Sequence, residues 1–147
     1  MAYNIVNTTT DLFTNDNAIG VKYPFNNSAV FDKVYTTLDQ GESNLICLLL
    51  TRKGERYIQP LFGTDLLYLI FEPNVSELKD DIITIIGDAV AYWLPYIILT
   101  ELTVITQEDD PTMIHNVKIT ISFTVTGVES NKKITIFANE DGVLQVE

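Results

Sequence analysis

The apolar positions of this chain change period along its length. Between Leu38 and Leu50 they fall at helical spacing, with Leu38, Leu45 and Leu49 on one track and Ile46 and Leu50 beside it, which predicts a helix over about Gly41–Lys53. Arg52 and Lys53 then occupy its last turn, where cations complement the helix dipole, and Gly54 stops it in a left-handed conformation. A loop with Pro60 inside it runs from Glu55 to Gly63. Thr64 stands where an N-cap belongs for a short helix, Asp65–Phe71, which Pro73 ends. The clearest stripe is Val75, Leu78, Ile82, Ile86, Ala89 and Trp93, at steps of three and four. Glu77, Asp80 and Asp81 sit at its start, where negative charge is favoured, and Pro95 restricts Leu94 and closes this second long helix.

Beyond Pro95 the period falls to two. Ile98, Leu102 and Val104 alternate with polar neighbours, and Val117, Ile119, Ile121, Phe123 and Val125 alternate strictly with Lys118, Thr120, Ser122 and Thr124. Ile134, Ile136 and Ala138 make a third strand, and turn signals separate the three at Asp109-Asp110-Pro111 and Gly127–Asn131. One apolar and one Thr-rich face predict an antiparallel meander covered on a single side. Residues 1–36, rich in Asn and Thr, predict an extended N-terminal arm with a short strand near Tyr3–Val6. The expected organisation is that arm, 1–36, and one α+β domain, 37–147, with two long helices plus a short one packed on a three-stranded antiparallel sheet.

Composition narrows the function. The chain has 147 residues, 46% of them apolar, enough for one domain with a real core. Twenty acidic residues against nine basic ones give −11, which argues against partnership with nucleic acid or with an anionic membrane surface. The excess lies in one half: residues 1–60 hold six acids and five bases, and residues 61–147 hold fourteen acids and four bases. Cys47 is the single cysteine, so no intrachain disulfide forms. Met1-Ala2-Tyr3-Asn4 does not begin a secretory leader.

Candidate chemistry is thin. His115 is the single histidine; Asp80-Asp81 and Glu108-Asp109-Asp110 could touch a cation but read better as a helix start and a solvated turn, and the latter run lacks the calcium-loop spacing. No metal or cofactor is expected. Cys47, between Ile46 and Leu48, reads as a buried apolar thiol. Gly20, Gly41, Gly54 and Gly63 are isolated and form no phosphate loop. Glu55 and Glu72 are the best pair for glycoside hydrolysis, an acid-base arrangement that any acidic chain can offer. The stretch Thr51–Gly63 mixes charge, aromatics, Pro and Gly. It reads equally as a tight connector whose Arg56 pairs with a local carboxylate, or as a rigid loop presenting Glu55 and Arg56 to a partner.

At this loop the sequence resembles a known family. Leu48-Leu49-Leu50-Thr51-Arg52-Lys53-Gly54-Glu55-Arg56, then Pro60-Leu61-Phe62-Gly63, then Asp65-Leu66 and Leu69-Ile70-Phe71-Glu72-Pro73, look like the baseplate wedge (protein W-like) family of contractile phage tails. Type VI secretion and other contractile injection systems have related components. Gly20-Val21-Lys22-Tyr23-Pro24-Phe25 resembles the family's Gly-x-x-x-Pro-Phe segment, so the likeness spans about 18–138. The resemblance implies a structural virion protein of the tail baseplate, assembled in the host cytoplasm in six copies and not an enzyme. It further implies binding to the helical core of the wedge and templating of the first ring of the tail sheath, by strands that complete an open sheet edge. The implied partner-binding residues are Gly54, Glu55, Arg56, Pro60, Gly63, Leu94, Pro95 and Tyr96, and the implied augmenting strand contains Ile134, Ile136 and Ala138, with Ile98–Thr106 the other candidate edge. One departure stands out. Where the family often carries Glu-Pro-Arg this chain has Leu94-Pro95-Tyr96, so docking there falls either to apolar and aromatic contact, with Tyr92, Trp93 and Tyr96 as anchors, or to changed charge partners. Some family members are labelled lysozyme-like, but no carboxyl in an apolar pocket is identifiable here.

Overall fold

Thr36 sets the start of the first long helix. In the computed structural model, which describes residues 18–23, 25, 31–70, 76–106, 109, 116–138 and 144–146, Thr36 is extended. Its hydroxyl accepts the Asp39 N–H at 3.2 Å and donates to the Asp39 carboxylate at 2.6 Å, a reciprocal cap. Helix α1 therefore spans Thr37–Leu50 and begins ahead of Gly41. It also ends earlier than its periodicity predicts. The Thr51 hydroxyl donates to the Cys47 carbonyl at 2.6 Å, and the Thr51 backbone turns extended. Arg52 and Lys53 accordingly lie in the loop rather than in the last turn. Gly54 does adopt the left-handed region, with φ +86°.

Thr64 does not cap the short helix α2 (Leu66–Ile70). Its buried hydroxyl donates to the Leu49 carbonyl at 3.0 Å and so satisfies an orphan group at the end of α1. Helix α3 spans Ser76–Trp93. Its buried track is Leu78, Ile82, Ile86 and Val90, continued by Leu94 beyond the helix. Ala89 and Trp93, expected on that stripe, are half-buried along its flank.

Two short strands, β1 (Gly20–Val21) and β2 (Lys33–Val34), pair antiparallel and contact α1. Part of the segment expected to be an extended arm is thus a small ladder, and Tyr23 N–H ties it to the Ser43 hydroxyl at 3.2 Å. The strand expected near Tyr3–Val6 lies outside the described residues, as do Glu72, Pro73 and His115.

The main sheet is an antiparallel meander in the order β3 (Ile97–Ile105), β4 (Val117–Val125), β5 (Lys132–Ala138), β6 (Leu144–Val146). The three long strands are those the two-residue period predicts, and β6 adds a short fourth. Strand β4 follows the alternation throughout: Val117, Ile119, Ile121, Phe123 and Val125 are all buried. Strand β3 does not, because a bulge between Leu99 and Glu101 inserts a residue opposite β4. Before it the odd residues Ile97 and Leu99 turn inward, and after it the even residues Leu102 and Val104 do. Ile98, expected on the apolar face, is exposed for that reason. Helix α3 packs on β3, and α1 packs on β4 and β5. The core lies between the two long helices and this one face, so the chain is α+β.

Lys132 joins α1 to the sheet, reaching the carboxylates of Asp39 and Glu42, the latter at 2.6 Å. Partial burial alone would raise the Asp39 pKa. The hydrogen bonds from Lys132 and Thr36, together with the Lys132 charge, outweigh it and hold the carboxyl below its ordinary value. Burial alone would lower the Lys132 pKa, and its hydrogen bonds to Asp39 and Glu42 outweigh that and raise it. The Asp39 contribution to stability is therefore complete above its unfolded pKa of about 3.9 and is lost as pH falls through the lower native value. The Lys132 contribution is complete below about pH 10.4 and is lost as pH rises through the raised native value. Lys132→Met should flatten the acid limb of stability below about pH 4, read as urea midpoint against pH. An acid limb as steep as that of the unmodified chain would show that these side chains are not coupled.

Candidate docking surface

The loop after α1 is closed at its base and open at its tip. Thr64 N–H donates to the Thr51 carbonyl at 2.9 Å, and Gly54 N–H donates to the Pro60 carbonyl at 2.7 Å. Glu55 turns back on the loop, where its carboxylate accepts the Arg52 N–H at 3.0 Å. Lys53 pairs with Asp65 at 2.6 Å, both largely in solvent. Gly63 closes the far side with φ +111°. Gly54, Pro60 and Gly63 thus shape the loop.

Arg56 does not make the local carboxylate pair that the connector reading expects. Its guanidinium lies over the Phe62 ring, 3.7 Å from the centroid, a cation–π contact. One of its N–H groups also donates to the Cys47 sulfur at 3.2 Å. It pairs with no carboxylate among the described residues. Cys47, expected to be buried, is half-exposed at the edge of α1 beneath this arginine.

With Arg56 over Phe62 and Glu55 bonded to the Arg52 N–H, the tip presents apolar side chains. Tyr57 is 100% exposed, Ile58 90% and Leu61 73%. The sequence points to this loop but not to these residues. Their signal is three large apolar groups with no periodic partner, held between Gly and Pro.

The end of α3 lies alongside. Phe62 meets Trp93 edge-on at 5.1 Å, and Trp93 meets Tyr92 at 5.0 Å. This run of rings brings together the loop and the helix corner that the sequence nominated separately. The corner itself divides. Leu94 is buried in the core, and the Tyr96 hydroxyl accepts from Asn44 at 2.7 Å, binding the corner to α1. Pro95 and Tyr92 are the outward residues, Tyr92 at 73% exposure. The outward apolar surface is therefore Tyr57, Ile58, Leu61, Tyr92 and Pro95, with the half-buried Phe62 and Trp93 beside it. Leu94 and Tyr96 hold it in place.

The strand nominated for augmentation is placed differently from the sequence expectation. Ile134, Ile136 and Ala138 all face the core. Strand β6 pairs with Ile136, Phe137 and Ala138, so the outer side of β5 is occupied there. At the other end of the sheet, no described strand pairs with the outer side of β3. Among the described residues no group of His, Cys, Asp or Glu is arranged to hold a metal ion, and no helix is long and apolar enough to cross a membrane.

A family described as baseplate wedge protein gp25 matches residues 42–129, from the body of α1 through the turn after β4. Among solved structures the chain is similar to a Geobacter sulfurreducens protein named as a tail lysozyme. The TM-score is 0.56 over 71% of this chain and 96% of that one, at 19% identity, which shows a shared fold. No curated protein sequence matches the chain. With the family match spanning the loop, both long helices and the first half of the meander, the chain belongs to the baseplate wedge protein gp25 family and is a structural component of the phage tail baseplate.

Proposed function

We propose that this chain docks to the core of the baseplate wedge through Tyr57, Ile58, Leu61, Tyr92 and Pro95, and templates the first ring of the contractile sheath through an open edge of its sheet. The observation that carries the reading is the Phe62–Trp93 contact, which joins an exposed apolar loop tip to an exposed aromatic helix end on one side of the fold. Apolar side chains at such exposure, backed by rings already ordered, suit anchors that fill a partner's pockets. The loop also carries three of the five basic residues of the first half, Arg52, Lys53 and Arg56, whereas the acids of residues 61–147 lie mostly outside the main sheet, whose strands hold Lys118, Lys132 and Lys133 against Glu101. Neither nucleic acid nor a membrane is among the partners of the chain. Six copies follow if the chain obeys the tail's symmetry, each assembled in the host cytoplasm before incorporation.

The role is structural and not catalytic. The name of the Geobacter sulfurreducens neighbour suggests cell-wall hydrolysis, for which a carboxylic acid must be held in an apolar pocket. Glu55 is instead exposed and bonded to the Arg52 backbone. Co-purification of the chain with the wedge proteins and the sheath subunit of its own tail is the direct test, and a stable complex with both is expected. A chain that stays monomeric beside all of them, or that clears a peptidoglycan suspension unless Glu55 or Glu72 is changed to Gln, would overturn the proposal.

A further inference from the structure

We infer that the edge of β3 that no described strand covers accepts an extended segment of another chain bearing a lysine or arginine opposite Glu101, and that the same carboxylate keeps two copies of this chain from pairing there. The inference rests on the strand-templating reading and says which edge, and which chemistry, that reading requires.

Soluble proteins blunt their sheet edges with short strands, prolines, lysines or bulges. Strand β5 fits that rule: it opens on Lys132 and Lys133, and β6 covers Ile136, Phe137 and Ala138. Strand β3 departs from it. Its sequence is Ile97-Ile98-Leu99-Thr100-Glu101-Leu102-Thr103-Val104-Ile105, with no proline, no lysine and a majority of β-branched residues. It runs about 30 Å, paired with β4 on one side and with no described strand on the other. A strand of this composition satisfies its outward N–H and C=O groups well when a second strand is laid beside it.

Two devices on β3 remain, the bulge and Glu101, and both lie mid-strand. Glu101 is the single charge of the strand; it is exposed, and it makes no ion pair or hydrogen bond among the described residues. On its own sheet it sits beside Ser122, with Lys133 a further strand away. The open hollow there, about 440 Å³, is lined by Thr100, Glu101, Ser122, Asn131, Lys132 and Lys133, and Glu101 is its one carboxylate, on the β3 side where an added strand would lie. Glu101 is also the middle of nine residues. Full-length antiparallel pairing of two β3 edges therefore sets one Glu101 against the other, and like charges directly opposite are unfavourable. Sliding the register to part them gives up paired residues or turns apolar side chains to the wrong face. A partner strand with a basic residue at that position converts the repulsion into an attractive cross-strand pair. The net charge of −11 acts in the same sense, disfavouring a second copy and favouring a basic segment.

The test uses the full chain and a capped peptide, Thr-Val-Thr-Val-Lys-Val-Thr-Val-Thr, with a version carrying Glu at its centre as control. Amide exchange is followed along the sheet. The Lys-centred peptide should slow the exposed amides of β3 about tenfold or more while the Glu-centred one does not, and Glu101→Lys should reverse that preference. No slowing on β3, equal slowing by both peptides, or slowing confined to β5 and β6 would overturn the inference. A parallel arm adds the sheath subunit. Sheath binding that protects β5 and β6 instead of β3 would sink the edge assignment and keep the templating role. Protection of β3 by the Lys-centred peptide with no binding of the sheath subunit would keep the edge assignment and sink the templating role.

Discussion

Gly63→Ala is expected to destabilise the chain by about 4 kcal/mol, whereas Gly54→Ala should lose only about 1 kcal/mol. Both glycines have positive φ, +111° and +86°, so both substitutions strain the backbone. They differ in what the new methyl group meets. Around Gly54 there is nothing within 4 Å. At Gly63 a Cβ would stand 2.3 Å from the Thr51 carbonyl oxygen and 2.9 Å from the Thr51 carbonyl carbon. These are backbone atoms at the foot of the loop, and that oxygen already accepts the Thr64 N–H at 2.9 Å. It cannot swing aside as a flexible side chain could, so relief requires the loop to part from the end of α1. Trp93, the single tryptophan, reports this directly. If the loop lifts, Phe62 leaves its ring and the emission shifts to the red as the global midpoint falls. Equal denaturation midpoints for the two variants would mean that the close approach of Gly63 to Thr51 is not a constraint in solution.

Two different kinds of information decided which parts of this fold could be read from the sequence. Periodicity reported the elements buried on one face: β4 alternates without exception, and α3 keeps Leu78, Ile82 and Ile86 inward. It failed where a single hydrogen bond or an inserted residue reset the count. Thr36 and Thr51 fix the ends of α1 through their hydroxyls, and apolar spacing carries no trace of that. The bulge at Leu99 and Glu101 turned Ile98 outward although its spacing to Leu102 is even. Strand β6 pairs through only three residues, too few for a period. The loop after α1 was legible as an anomaly, a run of Gly, Pro, charge and aromatics, but not in its geometry. Charged residues attract notice in a loop, yet Glu55 and Arg56 are spent on the loop's own order, Glu55 on the Arg52 N–H and Arg56 on Phe62 and Cys47. The departure at Leu94-Pro95-Tyr96 has the same explanation: two of its three residues hold the corner, and the outward aromatic surface comes from Tyr92, one turn earlier.

The largest effect on assembly should follow from Tyr57→Ser combined with Leu61→Ser, which is expected to weaken incorporation into the wedge about 30-fold or more. Stability should be almost untouched. Tyr57 is 100% exposed and Leu61 73%, so neither contributes much buried area to the fold, and such surface changes usually stay within about 0.5 kcal/mol. The asymmetry follows from where the surface is desolvated. In the free chain these side chains already stand in water, and their apolar area, of the order of 150 Å² for a tyrosine, is removed from it only on docking. Ordering adds little further loss, because Gly54 N–H to Pro60 and Thr64 N–H to Thr51 close the loop beforehand and Arg56 braces it on Phe62. Ile98→Ser supplies the contrast. Ile98 is also an exposed apolar residue, but it lies on strand β3 and not in the Glu55–Gly63 loop. That variant should enter the wedge normally, measured by co-sedimentation with purified wedge proteins at fixed salt. If Ile98→Ser were excluded as strongly as the loop variant, docking would depend on exposed apolar area in general and not on this surface. If the loop variant entered unimpaired, Tyr57 and Leu61 would not be the anchors.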